Sequence, residues 1–127
     1  MSAVLENTIS KPMPDNGVKI RLITVAEYDR MIEAGIYTEN DRIELLNGEI
    51  IELIPKEPRH VYFNEKLGDF FRRKLGGKVD VRSQNPIVLD DFSEPEPDIV
   101  LEKPPRENYL KTHPAASDIY LIIEISD

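Results

Sequence analysis

Between Arg42 and Leu53 the chain has little freedom in what it can become. Two short apolar-rich runs, Ile43-Glu44-Leu45-Leu46 and Glu49-Ile50-Ile51-Glu52-Leu53, flank Asn47-Gly48. That dipeptide accepts the positive φ angles of a two-residue turn, so the spacing predicts a β-hairpin. Upstream, Thr24 followed three residues later by Glu27 is a capping box, because each side chain can accept a helix-start amide. It predicts a helix over 25–34, with Val25, Tyr28 and Ile32 on one face and Gly35 to end it. Downstream, Pro55 and Pro58 end the second strand. His60 opens a longer helical pattern in which Phe63, Leu67, Phe70, Phe71 and Leu75 form a stripe. Arg72, Arg73 and Lys74 fall in its last turn, where cations favour the helix dipole, and Gly76-Gly77 stops it.

The remainder reads as short strands joined by polar connections. Val79–Val81 and Pro86–Leu89 are strand pieces, and Ser93–Pro97 is a proline-broken acidic loop leading into the apolar strand Asp98–Leu101. Lys103–Ser117 holds three prolines and reads as a long connection. Ile119-Tyr120-Leu121-Ile122-Ile123 is apolar on both faces, the pattern of a strand buried in the centre of a sheet. Residues 1–17, with two prolines and Asn16-Gly17, read as a loose arm. The expected organisation is that arm followed by one domain over 18–127. The expected fold class is α/β, bordering on α+β.

A length of 127 residues suits one domain with a real core. The absence of cysteine excludes a disulfide scaffold, a thiolate zinc site and a cysteine nucleophile, and two histidines cannot build a histidine-rich metal cage. No apolar run approaches a membrane span and no signal-peptide pattern opens the chain, so a cytoplasmic protein without membrane contact is expected. The formal charge of -8 argues against a bulk electrostatic grip on nucleic acid. Its distribution is uneven: residues 1–79 carry about -1 and residues 80–127 about -7. A solvated acidic surface explains such an excess, and so does a set of carboxylates converging on a cation.

Asp98 and Glu124 are the carboxylates with most chemical promise, since one opens an apolar strand and the other closes the next. If those strands are neighbours, both meet at one rim of the sheet. Carboxylates beside a dry core are costly unless paired or bound to a hard divalent cation such as magnesium. Surface strand ends remain the alternative. Glu44 sits among apolar residues of the hairpin, either on an exposed face or aimed at a site. His60 is either a helix-start histidine or a working one. Arg72, Arg73 and Lys74 match the helix dipole or touch phosphates. His113, in the proline-rich connection, reads as incidental. No glycine-rich phosphate loop and no nucleophile-elbow serine is present.

The order of these features resembles one family. A capping-box helix is followed by Arg42-Ile-Glu-Leu-Leu-Asn-Gly-Glu-Ile50, by Arg59-His60 opening a helix and by Ser83-Gln84-Asn85-Pro86. Glu96-Pro97-Asp98-Ile99-Val100 and Ile122-Ile123-Glu124-Ile125-Ser126 complete the sequence. Over Ile20–Asp127 this is similar to the Uma-two family of endonucleases, within the PD-(D/E)xK superfamily. The resemblance implies a restriction-endonuclease-like core: a mixed central sheet, an N-terminal hairpin and flanking helices. It implies a magnesium-dependent DNA endonuclease, with manganese as an alternative ion. Asp98 and Glu124 would be metal ligands, with the Ile125 carbonyl as a third. Glu44 would ligate metal or orient water, and His60 would act near the phosphate. Gln84 and the run Arg72, Arg73 and Lys74 would contact nucleic acid.

The superfamily's lysine position is occupied by Ser126. Family members with serine there carry a lysine on a following helix, then a final strand. This chain is accordingly expected to be cut short at its C-terminus, and an unfinished sheet edge would make a homodimer plausible. The rival expectation is a truncated, catalytically inactive relative that binds nucleic acid or protein. A glycosidase with paired carboxylates ranks last.

Overall fold

The computed structural model of the protein describes residues 17–126. The expected N-terminal arm therefore lies outside the described residues, apart from Gly17, as does Asp127. Helix α1 (Val25–Glu33) starts at the capping box: the Glu27 amide donates to Thr24 Oγ1 at 3.1 Å, and the Thr24 amide donates to Glu27 Oε1 at 3.0 Å. Gly35, at φ 79°, follows its end. Strands β1 (Ile43–Leu46) and β2 (Glu49–Glu52) form the hairpin, with Asn47 at φ 49° and Gly48 at φ 79° making the turn. Helix α2 (Pro58–Leu75) has proline in its first turn, where the missing amide costs nothing, and ends at Gly76 with φ 53°.

The second sheet contains β3 (Asp80–Ser83), β4 (Ile99–Glu102) and β5 (Ile119–Ile123), in the order β3-β4-β5. Both pairings in it are antiparallel, and among the described residues the parallel contact is an isolated bridge between Val88 and Ala115. Pro86–Leu89, read as a strand piece, is held by that one bridge at Val88 rather than as a strand of its own. The result is an α+β arrangement of two helices and two small sheets, consistent with a restriction-endonuclease-like core.

Two apolar clusters hold it together. Tyr28, Ile43 and Leu45 pack α1 onto the hairpin, and Val81, Ile99 and Leu101 pack beneath Leu67, Phe71 and Leu75 of α2. The segment before β4 joins them. Leu45 and Glu94 exchange backbone hydrogen bonds, the Gly48 amide donates to the Phe92 carbonyl at 2.8 Å, and the Asn47 amide donates to Ser93 Oγ at 2.9 Å. The acidic loop is thus a buried third edge of the hairpin.

Two expectations need correction. The central strand is β4, buried along its whole length, whereas β5 among the described residues pairs with β4 alone and leaves Tyr120, Leu121 and Ile122 exposed. An apolar pattern on both faces identifies a strand but not its rank in the sheet. The stripe on α2 is also rotated. Its buried positions are Asn64 and Gly68, flanked by Leu67, Phe71 and Leu75, while Phe63 and Phe70 are exposed. Asn64 Nδ2 donates to Ser83 Oγ at 2.8 Å, and Ser83 Oγ donates to the Asp98 carbonyl at 3.1 Å. This polar relay ties helix to sheet beside the apolar contacts of Leu67, Phe71 and Leu75.

Candidate active site

Asp98 immediately precedes β4 and Glu124 immediately follows β5. The register pairs Ile99 with Ile123, so the two acidic residues stand next to each other at the same rim. Glu44 reaches this rim from β1: its Oε2 accepts the Glu96 amide at 2.9 Å, which fixes the hairpin to the segment leading into Asp98. His60 arrives from the first turn of α2. These four residues line one cleft of about 290 Å³, together with Lys56 and Glu96. A larger hollow of about 810 Å³, lined by Tyr28, Glu94 and His113 among others, shares only Glu96 with it.

Asp98 is 1% exposed and heavily hydrogen-bonded. Its Oδ2 accepts the Ile125 amide at 2.7 Å, and its Oδ1 accepts both Lys56 Nζ and His60 Nε2, the latter at 2.9 Å. Burial alone would raise its pKa, but hydrogen bonds from Lys56, the Ile125 amide and His60 bring it below the ordinary aspartate value. An ionised Asp98 requires the hydrogen on His60 Nε2, so that nitrogen is a donor. The neighbouring carboxyls behave in the opposite way. Glu124 is pushed up to about 7 by desolvation and then by the charges of Asp98 and Glu44. Glu44 is raised chiefly by burial, and Glu96 by burial and then by Glu44. These four carboxyls, with Glu57 as a fifth, therefore line a cleft in which Lys56 offsets only part of the charge.

Hard divalent cations suit this donor set, because oxygen ligands crowded until their protons are retained are what such an ion relieves. Among the described residues no three acidic or histidine side chains form a ready-made cage, and Lys56 rests on the Asp98 oxygen. The donor chemistry fits an ion. The arrangement is the one seen with the lysine in place.

The other sequence-predicted residues lie further out. Gln84 adopts φ 52°, unusual outside glycine, and its amide donates to the Pro97 and Asp98 carbonyls at 3.0 and 3.3 Å. Its side chain lines an adjoining hollow that also contains Arg42, Lys56 and Glu96. Arg72, Arg73 and Lys74 are exposed at the far end of α2, with Arg72 paired to Asp69 at 3.2 Å. Twelve residues of helix put Arg72 about 18 Å along the axis from His60. Ser126 borders a hollow beside His60 and Phe63.

Lys56 and Glu96 were not singled out from sequence. Glu96 had a signal, as the acidic neighbour of Pro97-Asp98. Lys56 had only a faint one, its position four residues before His60 between two prolines. Its partner is 42 residues away, and no local pattern reports such a contact.

No curated protein matches the chain. Residues 25–127, most of its length, match the model of the Uma2 family, described as "Putative restriction endonuclease", and the chain belongs to that family.

Proposed function

We propose that the chain hydrolyses phosphodiester bonds of DNA in a magnesium-dependent reaction, with manganese able to replace magnesium, at the cleft closed by Asp98 and Glu124. The observation that carries this reading is the β4–β5 register, which sets those two carboxyls side by side while the hairpin adds Glu44. Asp98 and Glu124 would hold the ion, with Glu44 beside them. A bound divalent ion supplies Lewis acidity toward the phosphate and makes water a better nucleophile.

The chain's own residues supply the rest. The Ile125 amide and His60 fix the Asp98 carboxylate from both of its oxygens. Glu44, tethered through the Glu96 amide, is a fixed acceptor that orients water in the cleft. His60, whose Nε2–H is committed to Asp98, places its ring at the entry where a phosphate would approach. The exposed run Arg72, Arg73 and Lys74 lies at a distance of about five base-pair steps from His60, suited to sequence-independent contacts with the same duplex.

The test is nicking of supercoiled plasmid. The wild-type chain should cut only with magnesium or manganese present. Asp98→Asn should lose at least about 100-fold in rate, equivalent to about 2.7 kcal/mol of barrier, while keeping its circular-dichroism spectrum. Cutting that persists in this variant sinks the assignment. The contact between Lys56 and Asp98 favours one second reading, an inactive relative in which lysine permanently replaces the ion. A melting temperature indifferent to millimolar magnesium and manganese would select it.

A further inference from the structure

Lys56 lines the cleft among five carboxyls, and the proposed reaction leaves its ammonium without a role. We infer that it is an exchangeable counter-cation: it sits on Asp98 until a divalent ion displaces it, and then presents its charge to the substrate phosphate. This rests on the nuclease reading above and goes beyond it, by naming the cationic group that Ser126 does not provide.

The geometry carries the inference in three ways. First, Asp98 is held independently of Lys56. Its Oδ2 is fixed by the Ile125 amide and its Oδ1 by His60, so the carboxylate keeps its place when the lysine leaves. Second, the lysine is held at one point. His60 Nε2 donates to Asp98 and cannot also accept from Lys56, so the 3.2 Å approach between those two nitrogens contributes no bond. Among the described residues the acceptor it rests on is Asp98 Oδ1. Third, the lysine can move. It lies in the irregular stretch between β2 and α2, and 22% of its side chain is exposed while that of Asp98 is almost fully covered. A flexible four-carbon stem with a point charge suits such an exchange better than a guanidinium would.

An ion with two positive charges competes well against one ammonium for the same crowded oxygens. Displacement does not eject the lysine from the site. Its backbone stays at the cleft wall, and the freed ammonium keeps three donors for a phosphate oxygen. The displaced position is therefore the side of the cleft from which an anionic backbone would enter.

The experiment is manganese titration of the full chain by calorimetry without nucleic acid, followed by plasmid nicking at saturating manganese. Lys56→Met should bind manganese about tenfold more tightly than wild type, because the competing charge is gone. The same variant should nick more slowly at saturation, by about tenfold or more. Lys56→Arg, which keeps the charge, should retain the weak wild-type affinity and guards against a packing effect of methionine. Equal or weaker binding by Lys56→Met overturns the exchange. Tighter binding with an unchanged saturated rate overturns the role toward phosphate. Asp98→Asn provides the separate check: if it binds manganese as wild type does, the metal assignment fails and this inference falls with it.

Discussion

At the scale of single residues, Asp98 shows how a carboxylate stays ionised in an almost dry position. Three donors converge on two oxygens, and each would be stranded differently if the acceptor were removed. The exposed part of Lys56 lets that side chain turn toward water, so its loss of a partner costs little. The Ile125 amide is fixed in a half-buried backbone and cannot turn away as a side chain can, and leaving such a donor unsatisfied costs about 1–3 kcal/mol. Asp98→Ala should therefore destabilise the metal-free protein by about 2 kcal/mol, read as a lower urea midpoint with an unchanged slope. A loss below about 0.5 kcal/mol would mean that the amide finds water at an open rim. Asp98 and Glu124 were legible in the sequence because each interrupts an apolar run at its end. Lys56 was not, because its function in the fold depends on a contact that no local spacing encodes.

At the scale of elements, the hairpin turn has two duties. Gly48 closes the β1–β2 turn at φ 79°, and its carbonyl accepts the Ile23 amide at 2.9 Å while its own amide donates to Phe92. A Cβ built on it would stand 2.5 Å from Leu22 Cβ, closer than packed atoms tolerate. Gly48→Ala thus combines an unfavourable backbone angle with a collision, and should cost about 2 kcal/mol in denaturant unfolding. Because the same hairpin delivers Glu44 to the cleft, the variant should also lower nicking activity under conditions where it remains folded. The capping box of α1 and this turn were both readable, since their chemistry is complete within four residues. The exposure of β5 and the rotation of α2 were not. Apolarity on both faces of Ile119–Ile123 says nothing about what lies alongside, and buried Asn64 is intelligible only once Ser83 is seen opposite it. On α2, Arg59 and Lys66 lie over the exposed rings of Phe63 and Tyr62 at 5.7 and 5.6 Å, a partial cover for aromatics outside the core.

At the scale of the whole molecule, the excess of carboxylates becomes a dependence of stability on pH. Glu94, with Oε1 buried and unpartnered, is pushed up to about 8 by burial and then by Asp29 and Glu96. Glu102, fully buried, is pushed up to about 7 by desolvation, with Asp80 adding negative charge nearby. A carboxyl whose folded pKa exceeds its unfolded value holds its proton more tightly when folded. Its contribution is complete below about 4.5 and is lost as pH rises through the folded value. Asp98 works in the other direction: its pKa is lowered, so its contribution is present above about 3.9 and disappears as pH falls further. The metal-free protein should therefore melt at a higher temperature as pH is lowered from 8.5 to about 5, then lose stability below about pH 4. Glu94→Gln removes the carboxyl that titrates highest and retains its shape. At pH 8.5 it should stabilise the protein, on the order of 2 kcal/mol, and at pH 5 it should change little. Calorimetric melting of wild type and variant across this range decides the matter. Parallel curves would show that Glu94 is already solvated, and the buried acidic edge of the hairpin would then contribute nothing to the pH response.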